Sequence, residues 1–240
     1  VVSGNTVTAI VGGNLTIESP IDTSSYKETG SASGFGISYN ITTGAPGASL
    51  SGGSTNINST LSSVGTQSAI RAGDGGFQVN VQGNTTLTGG AITSSQTAIN
   101  NAANAFTSQG GVTTTDIVNS ASFNANQTAV SVGVGPKPNA TGGTSTGITG
   151  ASAGIGSANG NATSVTAGGI SGIAGNTAVR TGDAETGIKP IFNLPAVKTD
   201  IGAAVVVTQA FGPVATTAWG NYANGRFVDP TLSDAERACW

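Results

Sequence analysis

The sequence predicts an all-β chain, a right-handed parallel β-helix (solenoid) with a short C-terminal helical segment, on three observations. Apolar residues recur at every second position in short runs, turns of Gly, Asn and Asp separate the runs, and one run is nearly repeated later. In VTAIVGGNLTI, Val7, Ala9, Val11, Leu15 and Ile17 keep even spacing across a Gly-Gly-Asn turn, which reads as strand, turn, strand. The same grammar returns in AGDGGFQVNVQGNTTLTGGAITS, with Phe77, Val79 and Val81 on one face, then Leu87, then Ile92. GGNLTI at 12 and QGNTTL at 82 are near copies, as expected of units that each cover only their neighbours. Stacked about 4.8 Å apart, such units would line Val, Ile, Leu and Phe into inward columns while Thr, Ser and Asn face out.

Composition supports stacking over an ordinary globular surface. Of 240 residues only 8% are charged, against about a quarter in a typical soluble protein, and 38 are Gly. Disorder is the competing reading of so Gly- and Ser-rich a chain, and the sustained alternation argues against it. Backbone bonds between layers and ladders of Asn and Thr can hold such a stack without surface ion pairs.

Four segments follow in order. Residues 1–131 form the repeat region, and 132–150, with two prolines and many glycines, read as a linker or irregular coil. Residues 151–194 alternate weakly and read as a small-residue β segment. In 195–240, Val197, Ile201, Ala204, Val205 and Thr208 fall at helical spacing, and Pro213 interrupts before Ala215, Ala218, Trp219 and Tyr222, which reads as two short helices packed together.

Most chemistry is excluded by what is missing. With zero His, and one Cys at position 239, the chain lacks the commonest general base and any thiolate metal cluster. Eight basic residues and a net charge of −3 give too little positive charge to neutralise a phosphate backbone, so no nucleic acid is expected as partner. Ala72–Gly76, AGDGG, could cradle phosphate or calcium, but no Lys, following helix or repeated Asp accompanies it, and a corner of the stack is the preferred reading. Asp183 with Glu185, and Asp234 with Glu236, have the spacing of carboxylate pairs, in polar surroundings with no sign of a pocket. Residues 201–225 carry no charge, yet Gln209, Pro213 and Asn221 dilute them, so a buried helical hairpin is preferred to a membrane span. Cys239 and Trp240 receive no role. Accordingly no catalytic, cofactor-binding or metal-binding residue is assigned. The chain lacks an initial Met, and Val1–Ile17 alternates where a secretory leader would be basic and then apolar, so it is read as part of something longer.

GGNLTIESPIDTSSY at 12–26 and GFGIS at 34, with QSAIRAGDGGFQVNVQGNTTLTGGAITS at 67–94 and TTTDIVNSASFNA at 113–125, resemble the haemagglutinin repeat of filamentous-haemagglutinin-type exoproteins. AGGISGIAGNT at 167–177 and DIGAAVVVTQAFG at 200–212 are similar to the segment preceding the toxin module in contact-dependent growth inhibition exoproteins, and SDAERACW looks like the approach to that module. The resemblance implies a secreted, surface-exposed two-partner-secretion protein of bacterial competition, exported through an outer-membrane transporter. Its repeat region would be non-enzymatic and would help a C-terminal toxin, absent from this stretch, cross the outer membrane of a neighbouring bacterium. The alternative is a filamentous adhesin binding glycans or host cells. A polysaccharide lyase or hydrolase would need clustered Asp with Lys, Arg or His, which this chain does not offer.

Overall fold

The computed structural model describes residues 1–40, 45–138 and 142–228. In chain order the elements are β1 Val2–Val11, β2 Leu15–Glu18, β3 Asp22–Asn40, β4 Ala45–Ser63, β5 Ala69–Val81, β6 Thr85–Thr88, β7 Ala91–Thr93, α1 Gln96–Asn100, β8 Ala105–Ser108, β9 Val112–Thr115, β10 Ile117–Pro138, β11 Thr144–Thr166, β12 Gly169–Ile170, β13 Ala174–Gly175 and α2 Leu194–Val228. They make a six-stranded sheet ordered β1-β5-β7-β12-β13 with β8 also on β5, a four-stranded sheet β11-β10-β4-β3, and a three-stranded sheet β2-β6-β9. Two compact units result: Val1–Tyr26 with Ser59–Phe123 and Gly160–Phe192, and Lys27–Asn58 with Asn124–Asn159 and Asn193–Trp240.

In the first unit the near copies lie directly on one another. Strand β1 runs parallel to β5 with Val7 across from Phe77, Ala9 from Val79 and Val11 from Val81; β2 runs parallel to β6 with Leu15 across from Thr85 and Ile17 from Leu87. A third layer follows, β8 placing Phe106 beside Val79 and β9 placing Thr114 beside Leu87. The turns stack as well, since Asn14 Oδ1 accepts the Asn84 N–H at 2.9 Å. Ile70, Ile92 and Ile170 form one lateral row through β5, β7 and β12. These rows and Phe77, Val79, Val81 and Leu87 constitute the core, with Phe77, Val81, Leu87, Ile92 and Ile170 wholly buried. Tyr26, Phe123 and Phe192 gather in a separate aromatic cluster, ring centroids 5.4 and 5.9 Å apart.

The single right-handed parallel β-helix expected from the sequence is not what forms. Within the four-stranded sheet neighbours run antiparallel: Ser54 bonds Thr128 and Thr60 bonds Ser122, each at 2.9 Å, so β10 numbers fall as β4 numbers rise. Strands β12 and β13 are antiparallel too, with Gly169 across from Gly175. The physical reason lies in length and residue size. Strands β3, β4, β10 and β11 run 19, 19, 22 and 23 residues without the corner a coil needs. One face of β3 is Gly30, Ala32, Gly34 and Gly36, which offers no apolar column for a stacked layer to cover. Residues 132–150, read as a linker, include the end of β10 and the beginning of β11.

The C-terminal region also differs from expectation, being one helix of 35 residues that contains Pro213 where two short helices were expected. Proline removes one backbone hydrogen bond, and a helix of nine to ten turns has many others. In the second unit Ile201 and Val205 of α2 are buried, and they sit against glycines of β11: a methyl at Gly154 would stand 2.5 Å from Val205 O, and one at Gly156 would collide with Ile201 O. Thr208 Oγ1 accepts the Ile155 N–H at 2.9 Å, which satisfies the backbone of an edge strand. Lys198 Nζ adds an ion pair to Glu28 at 2.9 Å.

Candidate functional site

The AGDGG motif lies inside β5, as a bulge. Pairing of β1 with β5 shifts between Gly4 and Thr6, so that Gly73, Asp74 and Gly75 stand opposite Asn5 alone. Glycine is required there: a methyl at Gly75 would overlap Thr6 Oγ1, and Gly76 has φ +67°. The bulge presents Asp74, whose Oδ1 accepts the Ser95 hydroxyl at 2.6 Å, and Ser95 Oγ in turn accepts the Ala98 N–H at 3.1 Å as the N-cap of α1. Asp74 thus has a structural task.

Asp183 and Glu185 border a cavity of about 150 Å³, with Gln67, Arg71, Val165 and Arg180. Asp183 Oδ2 accepts the Arg180 N–H at 2.7 Å. Glu185 accepts the Gln67 N–H at 2.9 Å and pairs with Arg71 at 2.8 Å. Partial burial acts to raise the Glu185 pKa, but the Gln67 amide and the Arg71 guanidinium outweigh it and hold the carboxyl below its ordinary value of 4.5. A general acid needs the opposite shift. The pair therefore fastens the segment after β13 to β5, and Arg71 was not singled out by spacing because it stands over a hundred residues away. Asp234, Glu236, Cys239 and Trp240 lie outside the described residues. Among the described residues no three metal-ligating side chains gather, and no helix is long and apolar enough to cross a membrane.

A larger feature is the part of the four-stranded sheet that belongs to the second unit. A methyl at Gly34 would meet Ser51 Oγ and one at Gly36 would meet Ser49 Oγ, which sets β3 and β4 antiparallel with Phe35 across from Leu50. The Ser54–Thr128 bond then brings Val132 across from Leu50, and the 2.7 Å bond of Ser131 to Ser152 fixes β11 beside β10. One face is made of small residues and carries α2 on Gly154 and Gly156; beside Gln209 it forms a groove of about 560 Å³. The opposite face bears Phe35, Ile37, Leu50, Val130, Val132, Val134 and Ile155, all exposed. Sequence reading missed this face because alternation with glycine and serine does not reveal which side is covered.

No protein-family model matches the chain, and no solved structure does. A protein named Toxin CdiA from Escherichia coli is 35% identical over 178 residues, 70% of this chain and 6% of that protein. The chain is a relative of the CdiA proteins. A tRNA nuclease CdiA of Yersinia mollaretii is 36% identical over 130 residues, 54% of this chain and 4% of the relative. A deoxyribonuclease CdiA of Yersinia pseudotuberculosis is 37% identical over 100 residues, 42% of this chain and 9% of the relative. The chain thus spans less than about a tenth of the CdiA relatives it matches. The relationship agrees with the likeness to contact-dependent growth inhibition exoproteins read from residues 167–177 and 200–212.

Proposed function

We propose that this chain is a non-enzymatic delivery segment of a secreted contact-dependent growth inhibition exoprotein, which helps a toxin elsewhere in the same protein cross the outer membrane of a neighbouring bacterium. One observation carries the reading. Relatives named for different activities, a tRNA nuclease matched over 130 residues and a deoxyribonuclease matched over 100, are both similar to stretches of this chain, which supports a role separate from either nuclease activity. The residue chemistry supports this: the carboxylates at Asp183 and Glu185 are held by N–H donors and an arginine, and Asp74 serves a helix cap. In this reading the protein leaves its producer through an outer-membrane two-partner-secretion transporter, stands at the cell surface, and meets the target's outer membrane or proteins in it.

The test is to delete residues 12–94 from the full-length exoprotein and follow export, attachment to target cells and toxin entry separately. The delivery reading expects export and attachment to persist while entry fails. Loss of attachment, with killing retained when the toxin is introduced by another route, would make the segment an adhesin and withdraw the proposal.

A further inference from the structure

We propose that the outward face of the second unit's part of the four-stranded sheet binds a polysaccharide of β-1,4-linked N-acetylhexosamines through Asn56, Asn58, Asn124 and Asn126. Such binding goes beyond the delivery reading and holds or fails without it. Three observations carry it.

The first is an array of asparagines. The Ser54–Thr128 bond brings Asn56 across from Asn126 and Asn58 across from Asn124, and the Ser131–Ser152 bond adds Ser157 and Asn159 of β11. All six side chains are exposed. They stand in two rows that cross β4, β10 and β11, one of Asn58, Asn124 and Asn159 and the other of Asn56, Asn126 and Ser157.

The second is the state of their amides. Asn58 Nδ2 donates to Asn56 Oδ1 at 2.7 Å, and Asn126 Nδ2 donates to Asn124 Oδ1 at 2.6 Å, so each strand locks its own pair. Left facing solvent are Asn58 Oδ1 beside Asn124 Nδ2 in one row, and Asn126 Oδ1 beside Asn56 Nδ2 in the other. Among the described residues none of these four atoms has a protein partner. Each row thus sets an acceptor next to a donor, the complement of an acetamido group, whose N–H and C=O would meet both. Groups already held in place lose little freedom on binding.

The third is spacing and charge. Along a row neighbouring side chains are about 4.8 Å apart, close to the advance per sugar of an extended β-1,4-linked chain, whereas the amides of an extended peptide recur about every 3.4 Å and fall out of step. A peptide strand would in any case add at a sheet edge, not on a face. Residues 45–63, 117–136 and 144–166 contain no Asp, Glu, Lys or Arg, and Lys27 of β3, across from Asn58 by the Gly34–Ser51 register, is the charge that adjoins the rows. One cation does not hold a polyanion, and a neutral polymer fits the face.

The test is titration calorimetry of the 240-residue chain with chitohexaose, cellohexaose and heparin. Expected is saturable binding of chitohexaose, about tenfold or more weaker in the double variants Asn58→Ala, Asn124→Ala and Asn56→Ala, Asn126→Ala, each with the circular dichroism of the parent. Cellohexaose, with hydroxyls in place of the acetamido groups, should also bind about tenfold or more weakly. Asn80→Ala removes an exposed asparagine of the first unit and should bind like the parent. Absence of chitohexaose binding, binding by both asparagine variants equal to the parent, or equal affinity for cellohexaose would overturn the proposal. So would preferential binding of heparin that salt abolishes, which would give the face to a polyanion, or a dimer in light scattering that the variants dissolve, which would give it to a second copy. Calorimetry reads this face alone and toxin entry reads delivery, so the two readings fail separately.

Discussion

The two units are made from the same few residue types and use them in opposite ways. In the first, Phe77, Leu87, Ile92 and Ile170 are enclosed between parallel layers, and the contacts that matter are apolar rows with a few satisfied polar groups among them. In the second, Phe35, Ile37 and Leu50 stand exposed on a sheet of serine and glycine, and what is enclosed is a line of glycines under Ile201 and Val205. Alternation alone yields a two-faced strand; which face is covered depends on what the next element brings. The first unit therefore draws stability from burial, and the second from backbone pairing and close helix contact.

The largest expected effect breaks the comparison if it fails. Phe77→Asp places a charge in the filled core and should cost about 4 kcal/mol or more in urea unfolding, whereas Phe35→Asp should stay within about 0.5 kcal/mol. Equal losses would mean that both units are built alike. Next comes Asn119→Leu. Asn119 is wholly buried; its Oδ1 accepts the Val64 N–H at 2.8 Å and its Nδ2 donates to Thr166 Oγ1 at 2.9 Å. Removing the amide strands these groups and should lower stability by about 2 kcal/mol, read from the same denaturation curves.

Gly156→Val should cost about 1–2 kcal/mol by forcing a side chain into the space of Ile201 O, and hydrogen exchange should localise the loss to the first turns of α2. Unchanged protection of α2 would show that the helix does not rest on β11. The smallest effect concerns pH. Because the folded Glu185 lies below its ordinary value, its contribution is present above about pH 4.5 and disappears as pH falls through the lowered value. Solvent screening of this half-exposed pair limits it to about 0.5 kcal/mol. Wild type should exceed Glu185→Gln by that margin at neutral pH and match it in acid; a gap that persists in acid would remove the ion pair as its cause.

What the sequence made legible follows the same division. The even spacing of Phe77, Val79 and Val81 and the duplication of GGNLTI as QGNTTL correspond to the buried face and to the register of β2 on β6. The third layer lies inside the repeat region read over 1–131 but gives no alternation of its own, because β9 sets Thr114 where Leu87 and Ile17 stand, so the apolar signature fades while the pairing continues. The antiparallel sheet was illegible for a related reason. SASGFGIS and VSVGVG alternate without a large residue on the second face, and sequence spacing cannot tell a stacked coil from a long hairpin strand. At the candidate sites, the carboxylate pair was visible by spacing, but Arg71 and Gln67, which decide its chemistry, are remote in the chain.

Thiol labelling tests the division between the units most directly. In a Cys239→Ser background, Leu50→Cys and Leu87→Cys each place one thiol, the first on the exposed sheet face and the second in the filled core. A maleimide should modify Leu50→Cys at the rate of a free thiol and Leu87→Cys about a hundredfold more slowly, limited by opening of the core. Equal rates at the two positions would contradict the account.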